Sequence, residues 1–183
     1  MGKTYDRIDD DLRRFIGAQQ MFFVATAPLA ADGLINVSPK GLDTFRILDD
    51  HTVVYLDLTG SGIETLAHVR ENGRIVIMFC AFAGRAMILR LNGRGTAYQE
   101  GTPEFEELRP LFPSLEGDRA IIRVEVDRIA DSCGWGVPLF EYQGQRDTLL
   151  RYYDHKGPDV VRSMRRKGNG TSLDGLPGLT ASS

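Results

Sequence analysis

The turn Thr59-Gly60-Ser61-Gly62 combines two hydroxyl groups and two glycines directly ahead of a predicted helix. The β-branched and aromatic residues 52–56 predict a buried strand before it, and from Ile63 the apolar residues take helical spacing. The first N–H groups of a helix lack intrahelical partners and carry the positive end of its dipole, while glycines let a ligand approach the backbone. This pattern favours an anion site, and a phosphate group is an anion that such turns bind.

A second interpretation of the same residues needs no ligand. Ser61 and Glu64 stand at the spacing of a Ser-x-x-Glu capping box, in which the serine hydroxyl accepts from the N–H of Glu64 and the glutamate reaches back. Capping boxes are common, so the spacing by itself favours the cap over the phosphate site. Both interpretations stay open on these residues alone.

A lysine with a neighbouring hydroxyl stands at the end of another predicted strand. In Ser38-Pro39-Lys40-Gly41 the proline removes a backbone donor and the glycine lets the chain bend, which leaves Ser38 and Lys40 at the strand end. A lysine on a rigid strand end can hold a phosphate. An isolated lysine beside a turn is more often an ordinary solvated side chain, and this stretch alone favours that interpretation.

Trp135 is the sole tryptophan and lies between Gly134 and Gly136, at the end of the last long predicted strand. A rigid plane with little backbone bulk around it can cover a ligand. A tryptophan that closes the mouth of a barrel, or that contacts another subunit, fits the same residues equally well.

The elements that must position these residues are mostly strands. Five or six antiparallel strands with few helices indicate a closed barrel. The strands are predicted over residues 21–27, 34–37, 52–56, 75–82, 85–98 and 120–132, and the helices over 6–20, 63–69, 102–113, 145–153 and 158–167. The last helix ends in a basic group that we interpret as a solvated face or as a partner of the helix dipole, formed by Arg162, Arg165, Arg166 and Lys167.

Composition restricts the class of protein. A chain of 183 residues with 42% hydrophobic content suits a single domain, which we place at residues 1–167 with a polar, Gly-rich arm at 168–183. The net charge of −3 provides no field for nucleic acid or anionic lipid, and no run reaches membrane-spanning length. Cys80 and Cys133 in apolar stretches fit reduced, buried thiols of a cytoplasmic protein better than a disulfide scaffold. The charged residues 1–20 do not resemble a signal peptide. The scattered histidines and cysteines predict no metal site.

The order of elements and five short stretches resemble the pyridoxamine 5'-phosphate oxidase-related family of FMN-binding split barrels, over roughly residues 9–178. The stretches are Asn36-Val37-Ser38-Pro39-Lys40-Gly41, Tyr55-Leu56-Asp57-Leu58-Thr59-Gly60-Ser61-Gly62, Ile88-Leu89-Arg90-Leu91-Asn92-Gly93, Cys133-Gly134-Trp135-Gly136-Val137-Pro138 and Ser172-Leu173-Asp174-Gly175-Leu176-Pro177. The resemblance implies a mainly β fold with flanking helices, a six-stranded antiparallel split barrel. It also implies a homodimer with FMN at the subunit interface and the phosphate near the turn at 59–62, which favours the phosphate site over the capping box.

The resemblance also assigns the cofactor contacts, and the chain departs from the family at some of them. The implied FMN contacts are Asn36, Val37, Ser38, Pro39, Lys40, Gly41, Asp57, Thr59, Gly60, Ser61, Gly62, Arg90 and Trp135. True pyridoxamine phosphate oxidases carry Arg-x-x-x-Leu-Lys and Ser-Arg-Lys where this chain has Ser38-Pro39-Lys40 and Ser61-Gly62-Ile63. Two basic phosphate contacts are thus missing, and Lys40 would have to supply the charge. The C-terminal arginine and histidine that hold pyridoxal phosphate are missing too, so vitamin B6 oxidation is not expected.

These observations predict an FMN-dependent oxidoreductase that acts on a small molecule. The residues do not identify its electron donor, for which NADPH, NADH and a deazaflavin stay open. The alternative is a non-catalytic flavin- or heme-binding protein on the same barrel. An oligonucleotide-binding barrel is disfavoured by the acidic charge and by the lack of an aromatic and basic face. The residues identify neither a catalytic group nor a substrate.

Overall fold

Eight strands and five α-helices occur in residues 2–180, the part of the chain that the computed structural model describes. The strands are β1 (Thr4–Tyr5), β2 (Phe22–Thr26), β3 (Asn36–Lys40), β4 (Phe45–Ile47), β5 (Thr52–Leu58), β6 (Arg74–Cys80), β7 (Ile88–Gln99) and β8 (Asp118–Ser132). The helices are α1 (Asp10–Gly17), α2 (Glu64–Asn72), α3 (Pro103–Leu108), α4 (Thr148–Lys156) and α5 (Pro158–Gly168). Within these residues, none of the helices has the length and apolar character needed to cross a membrane.

The strands form one antiparallel sheet in the order β3-β2-β6-β7-β8-β5-β4, with β1 paired to β8. Six of these strands have five residues or more, which confirms the predicted mainly β fold and its six-stranded antiparallel split barrel. The short strands β1 and β4 were not predicted, because two or three residues are too few to show a periodicity.

The barrel is open between β3 and β4, the two ends of the sheet. No backbone ladder joins these strands within the described residues, so the closed barrel expected from the strand pattern is corrected to a split one. Aromatic side chains bridge the gap instead. The ring centroid of Phe45 on β4 lies 5.1 Å from that of Phe22 on β2 and 5.1 Å from that of Phe79 on β6.

The core explains why β5 can carry a charged residue into the interior. Val24, Ile77 and Leu89 point from neighbouring strands into the barrel and are fully buried. In β5 every residue from 52 to 57 is buried, because a second cluster covers its other face. That cluster contains Val54, Leu56, Phe105, Phe112 and Ile121. Asp57 near the end of β5 therefore has no access to bulk water.

Local chemistry explains where the elements differ from their predicted bounds. Helix α1 begins at Asp10 rather than at residue 6, because the carboxylate of Asp9 caps it and accepts from the N–H of Leu12 at 2.9 Å. Strand β3 continues through Pro39 because it lies at the edge of the sheet, where a missing N–H costs no ladder hydrogen bond on the open side. Helix α4 begins at Thr148 rather than at residue 145.

The segment after α5 folds back onto its own barrel. Thr180 donates to Gln99 at the end of β7, and the carboxylate of Asp174 accepts from the N–H of Leu34 at 2.9 Å. The arm predicted at residues 168–183 therefore packs on its own barrel through residue 180. Residues 181–183 of the predicted arm lie outside the described residues. The domain boundary after residue 167 stays a prediction.

The two cysteines differ in their burial. Cys80 at the end of β6 is buried as expected, whereas Cys133 directly follows the last residue of β8 and is exposed, so the expectation of a buried thiol is wrong for Cys133.

Candidate functional site

Asp57 is the centre of the site, and both of its carboxylate oxygens bind cations. Its side chain is 0% exposed. Lys40 Nζ, at the end of β3, donates to Oδ1 at 2.8 Å, and Arg119 Nε, in β8, donates to Oδ2 at 2.8 Å. The prediction that Lys40 is an isolated solvated lysine is therefore wrong, although 21% of its side chain remains exposed.

A β-bulge delivers Arg119 to this position. In the ladder between β5 and β8, Asp57 pairs with Ala120 and Leu58 pairs with Asp118, so Arg119 is an extra residue on β8. A bulged residue leaves the regular alternation of faces, and its side chain can point where the ladder would not place it. Sequence reasoning missed Arg119 because it began the strand at residue 120. The available signal was an arginine directly before the apolar run Ala120-Ile121-Ile122.

The electrostatics of the three groups follow from their contacts. Burial alone would raise the pKa of Asp57, but the charges of Lys40 and Arg119 and their hydrogen bonds outweigh it and lower the pKa from 3.8 to about 2. The carboxylate is therefore ionised at neutral pH. Two cations and one anion leave one net positive charge beside the end of β5.

Arg119 also fixes the turn that follows β5. Its Nη1 donates to the backbone oxygen of Gly62 at 2.8 Å and to Oδ1 of Asn169 at 2.8 Å. The Nδ2 group of Asn169 in turn donates to the backbone oxygen of Gly60 at 3.2 Å. The shape of the turn at 59–62 thus depends on Arg119 and on a residue that follows α5.

The N–H and the hydroxyl of Thr59 are both used in hydrogen bonds within the protein. Its N–H and its hydroxyl both donate to the backbone oxygen of Gly117, each at 2.7 Å, and its hydroxyl accepts from Arg165 Nε at 2.7 Å. Its own proton is therefore unavailable to a ligand. Ser61 is exposed and stays available.

The capping box does not form. Helix α2 begins at Glu64, its N-cap residue is Ile63, and no side chain caps it. The carboxylate of Glu64 instead lies over Gly62, where an added Cβ would be 2.2 Å from Oε2, and it accepts from the N–H of Leu173 at 3.2 Å. A carboxylate in this position disfavours an anion directly at the helix terminus.

The inner face of β3 forms a polar row that ends at Lys40. Asn36, Ser38 and Lys40 alternate onto this face, while Val37 and Pro39 point outward and are exposed. The hydroxyl of Ser38 donates to Oδ1 of Asn36 at 3.1 Å. Asn36 Nδ2 donates to the hydroxyl of Thr65, in the first turn of α2, at 2.9 Å. The structure therefore brings together Asn36, Ser38, Lys40, Asp57 and Gly62.

Two predicted contact residues, Arg90 and Trp135, lie away from this group in the chain. Strands β2 and β6 lie between β3 and β7, and the strand partners in register are Pro39, Phe23, Met78 and Arg90. Arg90 is therefore three strand spacings, or about 14 Å, from β3 along the sheet. Its Nη1 donates to the hydroxyl of Ser132 at 3.0 Å. Trp135, beyond β8, is 85% exposed and contributes nothing to the group around Lys40 within one chain.

A cleft of about 850 Å³ opens beside Lys40 and Gly41. Its walls are largely apolar and are formed by residues 18–21, 39–42, 82–84, 140–146 and 149. The loop over it is anchored twice. The N–H of Phe140 donates to the backbone oxygen of Phe82 at 2.8 Å, with the rings 5.2 Å apart, and Gln145 bonds to both Leu42 and Gln20. No local pattern indicates this loop, because its contacts join residues 58 to 125 positions apart.

Comparison with known proteins gives agreeing results. Residues 8–133 match the family model described as Pyridoxamine 5'-phosphate oxidase. The chain is 36% identical over 194 residues to the Pyridoxamine 5'-phosphate oxidase family protein ustO of Aspergillus flavus, a match that covers 96% of this chain and 77% of that protein.

Solved structures resemble about two thirds of the chain. HupZ of Group A Streptococcus is 26% identical with a TM-score of 0.51, covering 67% of this chain and 91% of HupZ. A Lactobacillus delbrueckii protein assigned to the pyridoxamine 5'-phosphate oxidases has a TM-score of 0.53 at 14% identity, covering 69% of this chain and 98% of its own, which is a likeness of fold alone. The family model ends at residue 133, so α4, α5 and the segment that follows lie outside it.

Proposed function

This chain belongs to the pyridoxamine 5'-phosphate oxidase family, and on that premise we propose that it is an FMN-binding oxidoreductase that acts on a small molecule. The observation that carries the proposal is the position of Lys40. Buried Asp57 fixes its ammonium group in the wall of an apolar cleft of about 850 Å³. FMN combines a flat, largely apolar ring with a phosphate group, and a cation beside an apolar cleft suits both parts.

The donors of β3 suit the phosphate better than the start of α2 does. Lys40 belongs to a group with one net positive charge. Ser38 lies on the same face of the strand, and its hydroxyl would turn from Asn36 to donate to the phosphate. The carboxylate of Glu64 stands at the helix terminus, where it would repel an anion. The proposed phosphate contacts are therefore Lys40 and Ser38, with Ser61 at the exposed side of the turn.

FMN, when bound, accepts or donates a hydride at N5. The part of the protein is to hold the ring and to keep water away from it. Phe82, Phe140 and Tyr142 line the cleft with aromatic surface, and the two anchors of the loop hold that surface in place. This chemistry needs no acid or base from the protein, and a nicotinamide or deazaflavin is the proposed electron donor.

The proposal includes a homodimer in which each flavin site is completed by the second subunit. The outward side of β3 and the residues before it are apolar and exposed, with 76% of Ile35 and 60% of Val37 accessible. Trp135 is exposed as well. Burying such residues is favourable, and an uncovered edge strand invites a second chain, which supports a second copy as the partner.

The visible spectrum of the purified protein, followed by titration of the apo-protein with FMN, tests the cofactor. We expect flavin absorption bands and saturation at one FMN per chain. A Soret band would instead favour the heme-binding alternative, and a colourless protein that does not bind added FMN would contradict the proposal.

Anaerobic mixing of the FMN-loaded protein with NADH, NADPH or a reduced deazaflavin tests the oxidoreductase part. We expect one of them to bleach the flavin band. Failure of all three, with FMN bound, would leave a flavin-binding protein and would contradict the proposed donors. Light scattering of the same sample tests the dimer, which a monomeric mass with flavin bound would exclude.

A further inference from the structure

A second pocket, called here the arginine pocket, has a volume of about 560 Å³ and lies between α5 and the adjoining ends of β7 and β8. It shares no lining residue with the cleft at Lys40. Arg119, Arg162, Arg165 and Arg166 line it. From the sequence, the basic end of α5 is interpreted as a solvated face or as a partner of the helix dipole. The structure brings three of its arginines to one pocket with Arg119.

Two of these arginines are buried and keep donors to spare. Arg119 is 4% exposed and Arg165 is 9% exposed. Arg119 uses Nε and Nη1 for the contacts described above, and Arg165 uses Nε for Thr59 and Nη1 for Glu100. Among residues 2–180, the Nη2 group of neither arginine has a hydrogen-bond partner. Neither Nη2 group is among the buried side-chain atoms without a partner, so both keep contact with solvent and can donate to a ligand that enters the pocket.

The charge of the pocket favours an anion. Glu100 is the one carboxylate among the described lining residues, against four guanidinium groups. Arg162 pairs with Asp159 at 2.6 Å, and Arg166 has no ion pair with any residue of the described part of the chain. Asp57 cannot neutralise Arg119 by itself, because it also pairs with Lys40. The excess positive charge is thus concentrated around one pocket.

We propose that the arginine pocket binds the phosphate group of a small phosphorylated molecule, at a site separate from the flavin cleft. The planar, forked donors of arginine match the oxygens of a phosphate, and several of them together match its double negative charge. A pocket of this size admits a small molecule rather than a macromolecule. The site is built from α5 and from a bulge at the start of β8, so it belongs largely to the part of the chain beyond the family model.

Calorimetric titration of the FMN-loaded protein with inorganic pyrophosphate tests the proposal. The informative variant is Arg162→Gln with Arg166→Gln, because both residues are exposed and the ion pair between Arg162 and Asp159 lies at the surface of α5. The matched control is Arg151→Gln with Lys167→Gln, which removes the same charge from α4 and α5 outside the pocket. We expect pyrophosphate to bind the wild type and the control equally, and the pocket variant at least about tenfold more weakly.

Three outcomes would overturn the proposal. Absence of binding to the wild type would remove the site. Equal weakening in both double variants would indicate a general charge effect rather than a pocket. A matching loss of FMN affinity in the pocket variant would mean that these arginines serve the flavin phosphate, and the site would not be separate; we expect FMN affinity to stay within twofold.

Discussion

Asp57 and Arg119 form a buried ion pair in which Arg119 Nε lies 2.8 Å from Asp57 Oδ2, with side chains 0% and 5% exposed. The same guanidinium donates to Asn169, which follows α5. One arginine therefore ties the end of β5 to the C-terminal segment. The pair also separates two spaces, since Lys40 on one side of the carboxylate lines the apolar cleft and Arg119 on the other lines the arginine pocket.

Replacing Asp57 with asparagine should destabilise the protein strongly. The change keeps the shape of the side chain but leaves Arg119 as a buried cation without its counter-charge, which costs about 3–5 kcal/mol of unfolding free energy. Urea denaturation measures it. The matched control is Asp43→Asn, because Asp43 pairs with Arg46 and 69% of its side chain is exposed, so the loss should stay below about 1 kcal/mol. Equal losses in the two variants would show that the buried pair does not stabilise the fold.

The stability of the wild type should depend on pH through Asp57. Its folded-state pKa of about 2 lies below the ordinary value of 3.8, so the unfolded chain binds more protons between these values. The contribution is complete above the unfolded pKa and disappears as pH falls through the folded pKa. It amounts to on the order of 2 kcal/mol, and about half of it should be lost between pH 5 and pH 3. Urea denaturation of wild type and Asp57→Asn across this range gives the difference between them, which should shrink toward low pH; a constant difference would argue against the low pKa.

Lys40→Met should weaken FMN binding and leave riboflavin binding unchanged. The phosphate is the group that the two ligands do not share, and a hydrogen bond to a charged group contributes about 1.5–3 kcal/mol. Titration of the apo-protein with each ligand measures the effect. Lys156→Met, in α4 and outside the cleft, is the charge control and should bind both ligands as the wild type does. Equal losses of both ligands in Lys40→Met would exclude Lys40 as a phosphate contact.

Gly117→Ala should destabilise the protein more than Gly101→Ala does. The two glycines have nearly the same positive φ, 86° and 88°, so an alanine at either position costs about 1–2 kcal/mol from backbone strain. Only Gly117 has a close neighbour, since an added Cβ would lie 2.3 Å from the ring of Tyr153 in α4, whereas nothing lies within 4 Å at Gly101. Tyr153 donates to the backbone oxygen of Thr59, so its displacement should also loosen α4. Chemical denaturation and limited proteolysis of the two variants measure the difference, and identical behaviour would show that the contact carries no stability.

Trp135 should report on FMN binding through its fluorescence. In the proposed dimer this exposed side chain lies near the flavin ring or at the entrance above it, where energy or electron transfer quenches its emission. Because the chain contains one tryptophan, the signal needs no assignment. Emission should fall as FMN is added to the apo-protein, and unchanged emission at saturation would place Trp135 away from the cofactor.

The sequence by itself determined the β-rich fold and the family, and it identified two short stretches as candidate binding residues. Alternating and continuous apolar runs are local signals, so β5 through β8 could be located within a few residues. Lys40 and the turn at 59–62 were likewise singled out from their own residue types, before any contact was known. The capping box was a local pattern too, but Glu64 turned to Leu173, a partner that no local pattern names.

Only the tertiary structure decided which distant side chains contact these stretches. Arg119 became the second partner of Asp57 because a bulge gave β8 one extra residue, and bulges follow from the pairing of distant strands. Arg165 is buried rather than solvated because its guanidinium donates to Thr59 and to Glu100 at the end of the barrel. Burial and pairing depend on which residues meet across the fold, and residues 57, 119 and 165 meet only once the sheet has curled and α5 has docked against it.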